Sequence, residues 1–359
     1  GLGFAAKPRS GGQLARSSNS VTPAVAQRAA SGQTVDISRS KTLQARFSRG
    51  GRRWVRRSWA RREAVWAYLA LALPPLLIYW AVTAFPTAFS IGLSLTDYNG
   101  GKLIGGTRPI GFVGFRHYIR MFEDPYFWIA LKNNLYIVLV SVFGQIPLGF
   151  LFAYAIHRRL VRFRGFFQTV IYLPSVISTI VIGILWQAFF SPYGALTEIV
   201  RRFINPGWIN MIFLNPRLAI AAVLFVILWM YTGLYMIIFL ANLQKIPPEI
   251  IEAAKIDGAS EFQLIRHVVL PSLSGVIVTS SILAISGSLR SFDLVFAMTA
   301  GNPARRTSVL AIYMFDTAFR GAPDFPLANA ISTFMIIVSL LLIAVVRSAA
   351  RRYGGAEDF

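Results

Sequence analysis

The sequence predicts an all-α integral membrane protein with six transmembrane helices, and three observations carry that prediction. The 359-residue chain is 55% hydrophobic and 14% charged, with a mean hydropathy of +0.55. That is too apolar for an ordinary soluble globule. Six segments are each long enough to cross a bilayer, which takes ~20 apolar residues for about 30 Å of hydrocarbon. The formal charge of +21 is unevenly placed: residues 1–63 hold 14 of the 36 Lys and Arg, against two acids, Asp36 and Glu63. Cysteine is absent, which removes disulfides, thiol chemistry and cysteine-ligated metals.

Residues 1–63 read as a basic, disordered cytoplasmic tail rich in Ser, Gly, Gln and Ala. Arg46 to Arg62 carries eight arginines with Trp54 and Trp59 among them. Just before a membrane helix, such a stretch suits contact with anionic lipid; a solvated segment that only sets topology suits it equally. No folded nucleic-acid reader accompanies it, so nucleic acid is not its expected partner.

The spans fall at roughly 64–93, 129–156, 166–190, 217–243, 271–299 and 327–347. Residues 94–128 form an extracytoplasmic loop, 129–347 the core and 348–359 a cytoplasmic C-terminus. Pro74, Pro75 and Pro86 interrupt the first span, Gly144, Pro147 and Gly149 the second, and Gly183 the third. Membrane helices tolerate these residues where neighbours satisfy the freed backbone groups. With both termini inside, the inner ends and loops carry 18 Lys and Arg and the outer ones 10. The bias supports N-in, C-in topology, though it rests on the tail and on the loop His157–Arg164.

That topology places loop 244–270 in the cytoplasm. Pro247-Pro248 suits a helix first turn, with Glu249 near its positive end. Ile250, Ile251 and Ala254 fall on one face at helical spacing. Gly258 supplies a left-handed stop. Ser260 and Gln263 have capping-box spacing for a second helix, with Phe262, Ile265 and Val269 as its apolar stripe. Physics alone leaves two readings: an interfacial amphipathic loop, or a rigid element that touches another protein.

Glu252-Ala253-Ala254, Gly258, Val268 and Leu270-Pro271 together resemble the signature loop of binding-protein-dependent ABC importer permeases. Val268 stands where isoleucine is commoner. Phe112–Tyr118 and Asp124–Trp128 resemble the first outer loop of the carbohydrate-uptake, maltose-permease-type members. Thr299-Ala300-Gly301-Asn302-Pro303 resembles their Thr-x-Gly-Gly-Pro turn, with Asn302 in place of Gly. The resemblance covers most of the chain from residue 64, and implies the type I ABC importer transmembrane fold in a bacterial or archaeal plasma membrane.

It also implies a division of labour. The loop would dock on a cytoplasmic ABC ATPase dimer, with Glu252, Ala253, Ala254, Asp257, Gly258, Leu270 and Pro271 as coupling residues. ATP and Mg would belong to that ATPase. This chain has no Gly-x-x-x-x-Gly-Lys-Ser/Thr loop, and none of His117, His157 and His267 sits at metal-ligand spacing from a carboxylate. No catalytic or metal site is expected. The other implied partners are a second homologous permease, an extracytoplasmic solute-binding protein and a sugar.

Sugar sites combine aromatic faces with hydroxyl and amide groups. The fourth span offers Trp229, Tyr231, Thr232 and Tyr235; the fifth offers Ser280, Ser281, Ser286, Ser288 and Ser291. Ungapped alignment on Glu252 and Pro271 puts the sugar-lining positions of maltose-type permeases at Met230, Tyr231, Leu234, Ala284, Gly287, Ser288 and Ser291. Most identities differ, so that relative's substrate does not transfer, and helix packing explains the same serines as well. Arg290 and Asp293 fall near the outer boundary at a spacing that allows a mutual pair. A glycerol phosphate or other polyol derivative is the alternative cargo, and Arg290 is the intramembrane cation it would use. A lipid-modifying enzyme would need clustered acids, histidines or a nucleophile that the spans lack. A non-transporting scaffold is the remaining alternative.

Overall fold

The computed structural model describes residues 53–100 and 110–352, with side chains from 66 to 351. Two compact units divide at Ile78. The first contributes the helix that begins at Arg53 and contains Pro74 and Pro75. Residues 53–63, expected in the disordered tail, are therefore helical, and residues 1–52 lie outside the described residues. The unit from Tyr79 onward holds the candidate sites described below.

Four helices are long and apolar enough to cross a membrane alone: Trp66–Leu93, Pro125–His157, Pro216–Leu243 and Phe325–Arg351. Two bent pairs complete the set: Arg164–Val176 with Thr179–Phe189, bent by 98°, and Glu261–Ser272 with Ser274–Leu289, bent by 71°. Counting each pair once gives six spans, named here first to sixth in chain order. Among the described residues, β structure is limited to one bridge, Thr96 to Phe112.

The third and fifth spans are broken rather than continuous. In the third, Pro174 lies in the last turn of its helix, and Ile177 and Ser178 are extended. A proline there removes a backbone donor and weakens the turn before the break. The fifth breaks at Leu273 and again at Arg290–Phe292, before a short helix Asp293–Thr299. The second begins at Pro125, capped by the Asp124 carboxylate, which accepts from Tyr126 N at 2.8 Å.

The fourth span is the centre of the bundle. Val223, Val226, Met236 and Phe239 are fully buried along it. Gly149 of the second span lies so close to it that a Cβ would come within 2.7 Å of Tyr235 Cβ and 2.9 Å of Met236 N. At Gly233 on the fourth, a Cβ would fall 2.2 Å from the Ile171 carbonyl oxygen of the third. Small residues thus let three backbones meet, as membrane helices need when no hydrophobic effect drives them together.

Buried amides complete the frame. Asn134 donates from Nδ2 to the Ser288 carbonyl (2.9 Å) and accepts from Leu310 N (2.7 Å). Asn133 donates to the carbonyls of Arg306 and Ser308, both at 2.8 Å. Gln145 donates to the Ile227 carbonyl at 2.8 Å. In hydrocarbon such polar groups find protein partners.

Candidate functional site

A cavity of about 260 Å³ opens where the second, third, fourth and fifth spans meet. Local irregularity builds each wall. In the second span, Ser141–Gln145 forms a π turn, whose extra residue turns Ser141 and Gln145 to the lining. The third contributes Thr179 at the start of its second helix. The fourth presents Ile227, Tyr231, Leu234 and Tyr235, a set at helical spacing. The fifth presents Leu283, Ala284, Gly287 and Ser288, and its second break adds Arg290, Ser291, Phe292 and Asp293. Ser288 Oγ lies 2.7 Å from the Ala284 carbonyl oxygen and 3.1 Å from Ser141 Oγ, bridging the second and fifth spans.

Of the substrate-pathway candidates, Tyr231, Leu234, Ala284, Gly287, Ser288 and Ser291 share this lining. Met230 and Trp229 do not. Met230 is 1% exposed in the apolar core, and Trp229 packs edge-on against Trp186, ring centroids 5.4 Å apart. On a helix turning 3.6 residues per turn, Trp229 falls on the far side from residues 227, 231 and 234, while Met230 falls beside that face and packs into the core. Thr232 and Ser281 bond back to the carbonyls of Leu228 and Ile277, and Ser280 is buried. Ser286 lines a separate cavity of about 340 Å³ beside the sixth span. Ser141, Gln145 and Thr179 escaped sequence reasoning. Their signal was polarity inside apolar spans at helix irregularities.

Arg290 and Asp293 do not form the expected pair. Among the described residues the ion pairs are Arg120–Asp324, Arg158–Glu261 and the two that Arg305 and Arg320 make with Asp316. The reason is the helix end at Leu289: residues three apart are neighbours only on a continuous helix. A cation and a carboxylate therefore stand separately in one lining, with aromatic faces, hydroxyls and an amide. That set suits a polyhydroxylated solute.

The second candidate element is loop 244–270. Helix Pro248–Ile256 ends in a paired-bond stop: Gly258 N–H donates to Lys255 O and Ala259 N–H to Ala254 O, both at 3.0 Å. Gly258 carries φ +80° there, a conformation that favours glycine. The capping box closes as expected, with Ser260 N donating to Gln263 Oε1 at 2.8 Å and Gln263 N to Ser260 Oγ at 3.4 Å.

The apolar faces differ from expectation. Ile251 and Ala254 pack inward while Ile250 is half exposed. Leu264 joins Ile265 and Val269 in the core, and Phe262 points out at 69% exposure. The cause is a π turn over Ile265–Val269, which aligns residues five apart, Leu264 and Val269. Glu252, Ala253, Asp257 and Gly258 are exposed, Leu270 packs on the core and Pro271 opens the short helix Leu270–Ser272. Ile250, Ile256 and Phe262 are exposed on the same loop.

A polytopic helical bundle with a cavity among broken helices and a rigid exposed loop defines the membrane-spanning part of a transporter. Residues 145–354 match the family of binding-protein-dependent transport system inner membrane components, and the chain belongs to that family. It is 32% identical over 289 residues to a probable ABC transporter permease of Pyrococcus horikoshii, covering 79% of this chain and 95% of that one. It is 31% identical over 292 residues to the lactose transport system permease of Rhizobium radiobacter, covering 80% and 93%. The permease-like fold is shared with a bacterial ABC transporter involved in alginate import, at a TM-score of 0.69 and 24% identity over 82% of this chain and 99% of that one. The protein is a multi-pass ABC transporter permease of the inner membrane.

Proposed function

We propose that this chain is one of two permease subunits through which an ATP-driven importer moves a sugar or oligosaccharide by alternating access. The observation that carries this reading is the exposed helix–glycine–helix loop on a family-defined permease bundle. The chain's termini lie in the cytoplasm, which puts the loop there too. Glu252 and its exposed apolar neighbours engage a partner ATPase dimer that holds ATP and Mg. Gly258 keeps the bend between the two helices. The solute arrives from an extracytoplasmic binding protein, as the family's description supports.

In the pathway, Tyr231 and Phe292 offer ring faces, Ser288 and Ser291 hydroxyls, and Gly287 leaves room beside them. The lactose-transporting relative supports a carbohydrate cargo. One observation favours the phosphorylated polyol instead: Arg290 lines the cavity without an acidic partner among the described residues. Asp293 in the same lining opposes net attraction of an anion.

The test is extraction from the native membrane in mild detergent, with co-eluting chains identified by mass. A second permease and an ATPase are expected. Reconstituted with the binding protein, the complex should take up labelled sugar, and competition by sugars but not by glycerol phosphate supports the main cargo. Elution of this chain alone or only with itself would overturn the heteromeric reading.

A further inference from the structure

The loop 244–270 is held at a point that its two flanking spans do not provide. Glu261 is the first residue of the helix that follows the Ser260 cap, so the capping box sets its backbone. Its two carboxylate oxygens meet different partners on the end of the second span. The Tyr154 hydroxyl donates to Oε2 at 2.6 Å, and the Arg158 guanidinium engages Oε1. Tyr154 and Arg158 are four residues apart, on one face at the helix end. The helix stops just there: Arg159 N–H donates to the Ile156 carbonyl and Leu160 N–H to that of Ala155, with Arg159 at φ +59°. This stop fixes where Arg158 sits.

An apolar core lies beneath the clamp. Leu264, Val269 and Leu273 share one buried cluster with Phe150, Ala153 and Ile156 of the second span. Polar and apolar contacts thus join the same two elements. An exposed ion pair alone would hold little, and the Glu261 side chain is 56% exposed. Tyr154 changes that balance, because its ring is 7% exposed and its charge-assisted bond comes from a nearly immobile body. The same hydroxyl, followed by the Arg158 guanidinium, holds the Glu261 carboxyl below its ordinary range, so it is ionised at neutral pH.

We propose that Glu261 is a positioning residue that clamps the loop to the second span through Tyr154 and Arg158, so that loop movement drives three spans rather than the two it connects. This rests on the reading of the loop as the ATPase-docking element. The consequence is specific. Ser141 and Gln145 sit on the same second span, at the cavity. The clamp therefore gives ATPase closure a direct hold on the second-span wall of the cavity.

The test uses the whole complex in proteoliposomes, measuring solute moved per ATP hydrolysed. Glu261→Ala, Glu261→Gln and Tyr154→Phe are compared with Glu252→Lys. Glu261→Ala should lower transport per ATP roughly fivefold while binding-protein-stimulated hydrolysis persists. Tyr154→Phe should give a smaller loss. The exchanged pair Arg158→Glu with Glu261→Arg should recover transport per ATP over either single change at equal yield of assembled complex, whereas a merely structural role would move the yield and leave transport per ATP unchanged. Unchanged coupling in the Glu261 variants, with transport lost in Glu252→Lys, overturns the clamp but keeps the docking loop. Unchanged transport in Glu252→Lys overturns the docking loop itself. Failed assembly of Glu261→Ala, with normal coupling in assembled Glu261→Gln and Tyr154→Phe complexes, also overturns the clamp.

Discussion

Gly258 allows the bend to be tested apart from the space around it. Its φ is +80°, and a Cβ added there would meet nothing within 4 Å. A substitution is therefore opposed by backbone conformation alone. Left-handed geometry costs an ordinary L residue about 1–2 kcal/mol, asparagine less and a β-branched residue more. If valine pulls the backbone out of that region, the bonds from Gly258 N–H to Lys255 and from Ala259 N–H to Ala254 are lost as well. Each contributes about 1 kcal/mol net. Since ~1.4 kcal/mol is a factor of ten in an equilibrium constant, Gly258→Ala should lower the equilibrium constant for the bent loop several-fold, and Gly258→Val ten-fold or more.

The assay is ATP-driven uptake by the reconstituted complex, with solute-stimulated hydrolysis measured in parallel. The expected order of transport is glycine, asparagine, alanine, valine. Normal solute-stimulated hydrolysis in Gly258→Val would refute the reasoning. Equal damage from asparagine, alanine and valine would refute it differently, by showing that the partner excludes any side chain there.

Three further outcomes follow from the geometry. Gly233→Ala should lower the melting temperature of the detergent-solubilised protein, and Gly233→Leu should prevent its assembly, because the new Cβ falls 2.2 Å from the Ile171 carbonyl oxygen. Tyr231→Ala should weaken solute uptake with little change in melting, since Tyr231 is only partly buried and lines the cavity. A depressed carboxylate stabilises the fold above its unfolded pKa and loses that contribution as pH falls through its folded value. The melting gap between wild type and Glu261→Gln should hold from neutral pH to about 5 and close below Glu261's ordinary value of 4.5.

The features that sequence expresses best are local ones. Ser260 and Gln263 meet because an N-cap residue and its third successor are always neighbours. Gly258 bends because nothing else there tolerates φ +80° so readily. The six apolar segments reflect a solvent requirement that composition records directly. What periodicity concealed was phase. The π turns at Ser141–Gln145 and Ile265–Val269 each advance the helix face by a residue, so Gln145 and Leu264 fall where a 3.6-residue count does not put them. The 98° break after Val176 had Pro174 as its visible cause, but a proline in a membrane helix kinks as often as it breaks. The absent Arg290–Asp293 pair followed from a helix end with no glycine or proline after it, since Arg290, Ser291 and Phe292 follow Leu289.

Tyr231 and Tyr235 join the cavity to the loop. Tyr235 belongs to the buried cluster that holds Leu264 and Val269, and it also lines the cavity. Tyr231 packs against that cluster and against the one around Met230 and Leu294. Close-packed interiors do not absorb a displacement locally; they pass it on or repack. On the proposed reading, a shift of the loop at Leu264 reaches the cavity through one contiguous body of side chains. Coupling of this kind is reciprocal in free energy. If the proposed docking of an ATPase on the loop changes solute affinity by some factor, solute must change the affinity for that ATPase by the same factor. Solute contacts at the two tyrosines must likewise bias the loop. Equal solute affinity with the partner ATPase docked and undocked would show that the two ends move independently, and that the shared core is only a packing necessity.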